Sequence, residues 1–315
     1  MIDWASIASG IGSATGQSFQ LVSHAPIGGG CINQAYRILG QDGRCFFIKL
    51  NSADKEAMLS AEAAGLNEIA KTQTIRVPQP ITVGISGKQC YLVLEHLELT
   101  ARGNAKLLGQ QLAALHRYTS LSLPTIRGKD RMGVEKESTA TLPCFGFAQD
   151  NFIGSTPQPN GWKTDWIAFW REHRLGYQLQ LAAQNGYGGR LQTLGEELME
   201  ALPVFFDGYT PKPSLLHGDL WSGNHSFLSD GTPTIFDPAS YYGDRECDLA
   251  MTELFGGYST GFYSAYRAAY PLDAGYSTRR DLYNLYHILN HANLFGVSYV
   301  SQAEQIMQKL LTKVG

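Results

Sequence analysis

Short apolar runs separated by turn residues fill residues 1–95 of this chain, whereas helically spaced apolar positions dominate the rest. Ala35-Tyr36-Arg37-Ile38-Leu39 and Cys45-Phe46-Phe47-Ile48-Lys49-Leu50 flank Gln41-Asp42-Gly43. That is a hairpin signal, because glycine accepts the positive φ that tight turns impose. Leu59, Ala63, Leu66 and Ile69 recur at helical spacing within 54–71. Val77-Pro78-Gln79-Pro80 ends that pattern, since proline holds the residue before it in extended geometry. Val83 and Cys90-Tyr91-Leu92-Val93-Leu94 predict two further strands around Ser86-Gly87.

Beyond Glu95-His96-Leu97 the spacing changes. Leu108, Leu112 and Leu115 mark an amphipathic helix ending near His116; Trp166, Trp170, Tyr177 and Leu181 mark a second, and Leu282, Leu285 and Leu289 a third. The proline-, glycine- and charge-rich passage 120–163 reads as loop with little regular structure. Short strands return at 214–216, 225–228 and 234–236. The pattern predicts an α+β chain of two parts: residues 1–95, a small β-rich lobe with one main helix, and residues 96–315, larger and mainly helical.

Composition narrows the classes open to such a chain. A net charge of −3 with pI near 6.2 argues against a general nucleic-acid or membrane-surface binder, so a polyanionic ligand needs a few placed cations. No apolar run reaches membrane-spanning length, and Met1-Ile2-Asp3-Trp4 lacks the basic, then apolar, start of a secretory signal; a cytoplasmic enzyme fits. The five cysteines are scattered and odd in number, against a disulfide framework or a zinc site. His287 and His291 share a helix face, but with no third ligand they read as packing residues.

The chemistry concentrates in His217-Gly218-Asp219-Leu220-Trp221-Ser222-Gly223-Asn224 and Phe236-Asp237-Pro238. An Asp, an Asn and a second Asp in this order suit phosphoryl transfer: Asp219 to accept a hydroxyl proton, Asn224 and Asp237 to offer oxygen ligands to Mg²⁺ on ATP phosphates. Upstream, Gly28-Gly29-Gly30 lies between predicted strands, where backbone N–H groups can approach phosphate; a plain turn reads equally well. Lys49, on the strand behind it, occupies the place of a phosphate-contacting lysine. Glu62 is its preferred partner for its mid-helix position, although Glu56 and Glu68 are equal on spacing. Glu95, His96 and Leu97 join the two parts; in a bilobal kinase such a connector offers backbone groups to adenine, and an ordinary domain linker is compatible with that role. Trp221 reads as a core anchor or as a sugar-binding wall, His217 as structural, and Asp248 as a brace for the catalytic-loop backbone. Cys31, beside the glycines, reads as a redox-sensitive thiol, which would allow a redox-dependent homodimer beside the monomer, or as a small buried residue.

With Tyr241-Tyr242-Gly243-Asp244-Arg245-Glu246, Asn151-Phe152-Ile153-Gly154-Ser155-Thr156-Pro157-Gln158 and Asn293-Leu294-Phe295-Gly296, these motifs span nearly the whole chain. Together they resemble the fructosamine kinase family, or ketosamine-3-kinases, relatives of aminoglycoside phosphotransferases within the protein-kinase-like fold. The resemblance implies a bilobal kinase-like fold and ATP-dependent phosphorylation of a ketosamine at its C3 hydroxyl, with ATP and Mg²⁺ as cofactors. The adduct, free or protein-bound, is then destabilised and its amine released. Ribulosamine, erythrulosamine and fructosamine adducts all remain open. By position the resemblance puts the base on Asp219, the metal ligands on Asn224 and Asp237, and the phosphate contact and its partner on Lys49 and Glu62. One departure is a polar segment, about 121–142, between Leu115-His116-Arg117 and Phe145-Gly146-Phe147, which implies a surface excursion. Kinases of other hydroxylated amines (aminoglycoside, choline, homoserine) and a non-catalytic nucleotide-binding module are the competing readings.

Overall fold

The computed structural model describes residues 2–28, 32–118 and 144–314. A helix α1 (Trp4–Thr15) precedes strands β1 (Leu21–Ile27), β2 (Gln34–Gly40) and β3 (Cys45–Ser52), helix α2 (Glu56–Lys71), and strands β4 (Pro80–Ser86) and β5 (Gln89–Glu95). The five strands form one antiparallel sheet in the order β1-β2-β3-β5-β4. Gly43 adopts φ +83 in the β2–β3 turn, where Asp42 accepts hydrogen bonds from the backbone and guanidinium of Arg44.

Both faces of this sheet are covered, which is why β5 reads as an unbroken apolar run. Tyr91 and Val93 join Phe46, Ile48 and Leu50 against Ile7 and Ile11 of α1. Cys90, Leu92 and Leu94 point the other way, onto Leu59, Leu66 and Ile69 of α2. The period of two therefore places Lys49, between Ile48 and Leu50, on the face that α2 covers. The apolar pattern did not single out α1, whose buried residues are only Ile7 and Ile11. Its caps are the legible signal: the Asp3 side chain accepts from Ser6 N, and Gly16 takes φ +69.

The remainder is mainly helical. After β6 (Leu99–Thr100) and α3 (Ala105–Arg117) comes a hairpin, β7 (Asn151–Ile153) with β8 (Thr156–Gln158), inside the passage read as loop. Helix α4 (Trp166–Trp170) continues through a π-helical turn, Arg171–Gly176, into α5 (Tyr177–Gln184), followed by α6 (Arg190–Ala201). That turn seats Arg174, fully buried, against the ring of Tyr241 with its guanidinium bonded to the carbonyl of Pro159 and to Asn160.

Four short strands then frame two loops: β9 (Pro213–Leu216), β10 (His225–Leu228), β11 (Pro233–Ile235) and β12 (Tyr241–Asp244). β9 pairs with β12, and β10 with β11 and β6, all antiparallel. Helices α7 (Glu246–Leu254), α8 (Thr260–Ala269), α9 (Tyr276–Phe295) and α10 (Val297–Val314) complete the chain. One apolar core runs from α2 through this region. The charges at 244–248 are internal rather than a surface cluster: Asp244 accepts from Tyr209 and Tyr283, and Glu246 pairs with Arg279 at 2.7 Å. Among the described residues no helix is long and apolar enough to cross a membrane.

Candidate active site

Strand pairing brings the two motif loops side by side. Residues 217–224 leave β9 and enter β10; residues 236–240 leave β11 and enter β12. The loops are stitched by Ala239 N to His217 O (2.8 Å) and Phe236 N to Asn224 O (3.1 Å). Gly218 makes the close approach possible. It holds φ +84, and a Cβ there would lie 2.1 Å from the carbonyl oxygen of Ala239.

The backbone ahead of Asp219 is fixed from below by Asp248. Its carboxylate accepts from His217 N (2.7 Å) and Gly218 N (2.8 Å), and His116 Nε2 lies 3.1 Å away. Burial acts to raise the Asp248 pKa, but the hydrogen bond and charge of His116, with His217 and the Gly218 N–H, hold it below the ordinary value. His116 Nδ1 is in turn 2.8 Å from the hydroxyl of Tyr266. His217, fully buried, has its pKa lowered by burial. It accepts from Asp219 N at Nδ1 (3.2 Å), so Nε2 carries the proton donated to Phe236 O (2.9 Å).

Asn224 donates through Nδ2 to the backbone oxygen of Asp219 (2.9 Å) and to its carboxylate (3.2 Å). Burial, then the neighbouring Asp237 carboxylate, pushes the Asp219 pKa up to about 7, against the Asn224 hydrogen bond. Asp237 stands at φ +59, one of two non-glycine residues with positive φ among those described. Strained backbone of this kind clusters where a side chain must be aimed. Asp237 meets Lys49 Nζ at 2.5 Å, and Lys49 meets Glu62 at 2.7 Å. Burial alone would lower the Lys49 pKa; the two carboxylates raise it instead, so the lysine is firmly charged. Glu56 bonds Ser60 and Glu68 bonds Lys71 and Tyr242, leaving Glu62 as the helix carboxylate at Lys49.

The residues present fit a divalent cation held together with a polyphosphate. Asn224 has committed its amide nitrogen, so its oxygen is the group left for a cation. The Asp237 side chain is 46% exposed although one oxygen holds Lys49, whose own side chain is 8% exposed. Among the described residues no group of three or more His, Cys, Asp or Glu could hold a metal ion by itself.

Gly28 directly follows β1, while Gly29, Gly30 and Cys31 lie outside the described residues, as does 121–142. The loop's return is held by Asn51, whose amide donates to Ile32 O (3.2 Å) and Asn33 (2.7 Å). In the connector, Glu95 closes β5 and bonds Arg76 and Gln79 N, His96 lies 3.6 Å from Glu98, and Leu97 is half-buried. Trp221 is 39% exposed, with its indole over Gly223 and its carbonyl bonded by Tyr258 (3.1 Å). It is not a core residue. His116, Tyr258 and Tyr266 receive no site role from the sequence, because partners 37 to 150 residues away leave no local periodicity.

The five-stranded sheet with α1 and α2 on its two faces, set on a helical body, is the fold of the kinase-like phosphotransferases, shared with aminoglycoside phosphotransferases. The chain belongs to the fructosamine kinase family, whose family model matches residues 3–313. It is 45% identical over 311 residues to a probable ketoamine kinase of Synechocystis, covering 98% of this chain and 97% of that one. It is 41% identical over 298 residues to the chloroplastic protein-ribulosamine 3-kinase of Arabidopsis thaliana, covering 94% and 85%. A Haemophilus somnus crystal structure named for fructosamine-3-kinase superposes with TM-score 0.83 at 29% identity, covering 98% and 97%.

Proposed function

We propose that this chain is an ATP-dependent ketosamine 3-kinase acting in the cytoplasm, with residues 1–95 as its nucleotide lobe. What supports the reading is one connected set: Glu62–Lys49–Asp237 on one side, Asn224–Asp219 on the other, joined through the paired loops. In this mechanism Lys49 and the glycine-loop backbone orient the ATP phosphates, and Glu95–Leu97 hold adenine. Asn224 and Asp237 hold Mg²⁺, which when bound supplies positive charge against the charge developing on the phosphates. Asp219 orients the C3 hydroxyl and takes its proton as the oxygen bonds the γ-phosphorus; the bond to the β-phosphate oxygen breaks and ADP leaves. A carboxyl whose pKa sits near 7 suits that proton transfer. Trp221 walls the sugar, and the acceptor is free or protein-bound. Phosphorylation at C3 destabilises the adduct and frees its amine, a deglycation.

Incubation of the enzyme with Mg-ATP and ribulose-lysine, fructose-lysine or an aminoglycoside tests this directly. ADP formation with a C3-phosphorylated ketosamine supports the reading; transfer to the aminoglycoside alone, or to none, overturns it. Asp219→Asn should keep nucleotide affinity while kcat falls about 10³-fold.

A further inference from the structure

Lys49 is useful only if α2 presents Glu62 at the right depth, so the surface that sets the position of α2 matters. Three residues of α2 spaced by three, Glu62, Gly65 and Glu68, form one stripe. Each meets the segment that follows Phe236. Glu62 reaches Asp237 through Lys49. Gly65 faces Pro238 and Ser240: a Cβ at this glycine would sit 3.2 Å from Ser240 Oγ and 3.3 Å from Pro238 Cγ. Glu68 accepts a hydrogen bond from Tyr242 at 2.9 Å.

Glycine in the middle of a helix costs about 1 kcal/mol relative to alanine, and Gly65 needs no unusual φ. Its explanation is the close contact. The opposing segment is itself immobilised. Gln158 donates to Ala239 O (3.1 Å), Asn151 to Ser240 O (2.7 Å), and Tyr242 exchanges both backbone bonds with Gly146. Gln158 is anchored in turn by Tyr286 (2.7 Å). Residues 238–244 are all buried. The helix thus rests on a rigid ledge that also carries Asp237.

We propose that Gly65, Glu68 and Tyr242 are positioning residues that lock α2 to the 237–242 segment, so that Glu62, Lys49 and Asp237 are set as one unit. This rests on the kinase reading of the site. It goes beyond that reading in assigning the lock to residues that touch neither nucleotide nor acceptor.

The test is a set of double-mutant cycles on kcat, with Glu62→Gln as the second mutation. Gly65→Val, which wedges the helix off its ledge, should lower kcat about 10²-fold. Tyr242→Phe, which deletes only a hydroxyl, should lower it about fivefold. Glu68→Gln, which still accepts that hydroxyl, should stay within about twofold of wild type. In the Glu62→Gln background both penalties should shrink below about twofold, because α2 then offers Lys49 no carboxylate and the ion pair that the lock places is gone. Penalties that multiply unchanged in that background, or a Tyr242→Phe enzyme at wild-type kcat, overturn the lock. A Glu62→Gln enzyme with wild-type kcat would instead overturn the underlying role of Glu62. Tyr242→Phe keeps the test decisive if Gly65→Val does not fold.

Discussion

The two segments that the proposed mechanism brings to ATP are held in opposite ways. On the side of the glycine segment, β1 has residues 22–26 exposed, and Asn51 bonds Ile32 and Asn33 where the described chain resumes. The loop bearing Asp219 is braced beneath by Asp248, His116 and His217, nearly all of them out of solvent. On the proposed mechanism the difference follows from what each would hold. A phosphate clamp built of backbone N–H groups needs only a permissive chain, whereas a proton acceptor must be placed to within a fraction of an ångström.

Removing the brace should give the largest effect. Asp248→Ala leaves two buried N–H groups and His116 without their acceptor, at about 1–3 kcal/mol for each unsatisfied group. We expect kcat to fall about 10²-fold or more, with a clear loss in chemical-denaturation stability. An Asp248→Ala enzyme of normal stability and turnover would erase the contrast between the loops.

Acid should act on the braced side next. Burial lowers the pKa of His287, on α9, from 6.5 to about 3. The unfolded chain therefore binds that proton first. The contribution is complete above pH 6.5 and is lost as pH falls toward 3, at up to about 1.4 kcal/mol per pH unit. His217 and His225, also lowered, act with the same sign, while Asp219, with its raised pKa, opposes them. The difference in unfolding free energy between wild type and His287→Phe, followed from pH 7.5 to 5, isolates the term. It should hold level down to about pH 6.5 and then move against the wild type as pH falls further.

The smallest effect belongs to the other loop. Asn51→Ala should raise KM for ATP about three- to tenfold with kcat little changed, since only the clamp's return is loosened. A drop in kcat equal to that of Asp248→Ala would show that the glycine loop is as tightly specified as the catalytic one.

What the sequence discloses divides along the same line. Strand alternation suffices to put Lys49 on the face α2 covers, and the order of Asp219, Asn224 and Asp237 is legible because those residues sit on two adjacent loops. Spacing does not choose among Glu56, Glu62 and Glu68; the choice comes from Ser60 and Tyr242, which engage the other two. The β7–β8 hairpin was hidden for a related reason. Its strands have three residues each, and what holds them is Asn151 and Gln158 reaching more than eighty residues along the chain. Helix α1 carries too few large apolar residues for its periodicity to register.

The left-handed backbone of Asp237 has a consequence for how variation at this position would be tolerated. In a saturation library scored once for cellular abundance and once for turnover, the two rankings should separate here. Asn and Gly accept such a φ and should keep abundance near wild type, whereas Val and Ile should lose it, at about 1–3 kcal/mol. None of the replacements should keep turnover. Position 237 would then be one where abundance alone mislabels inactive alleles as benign.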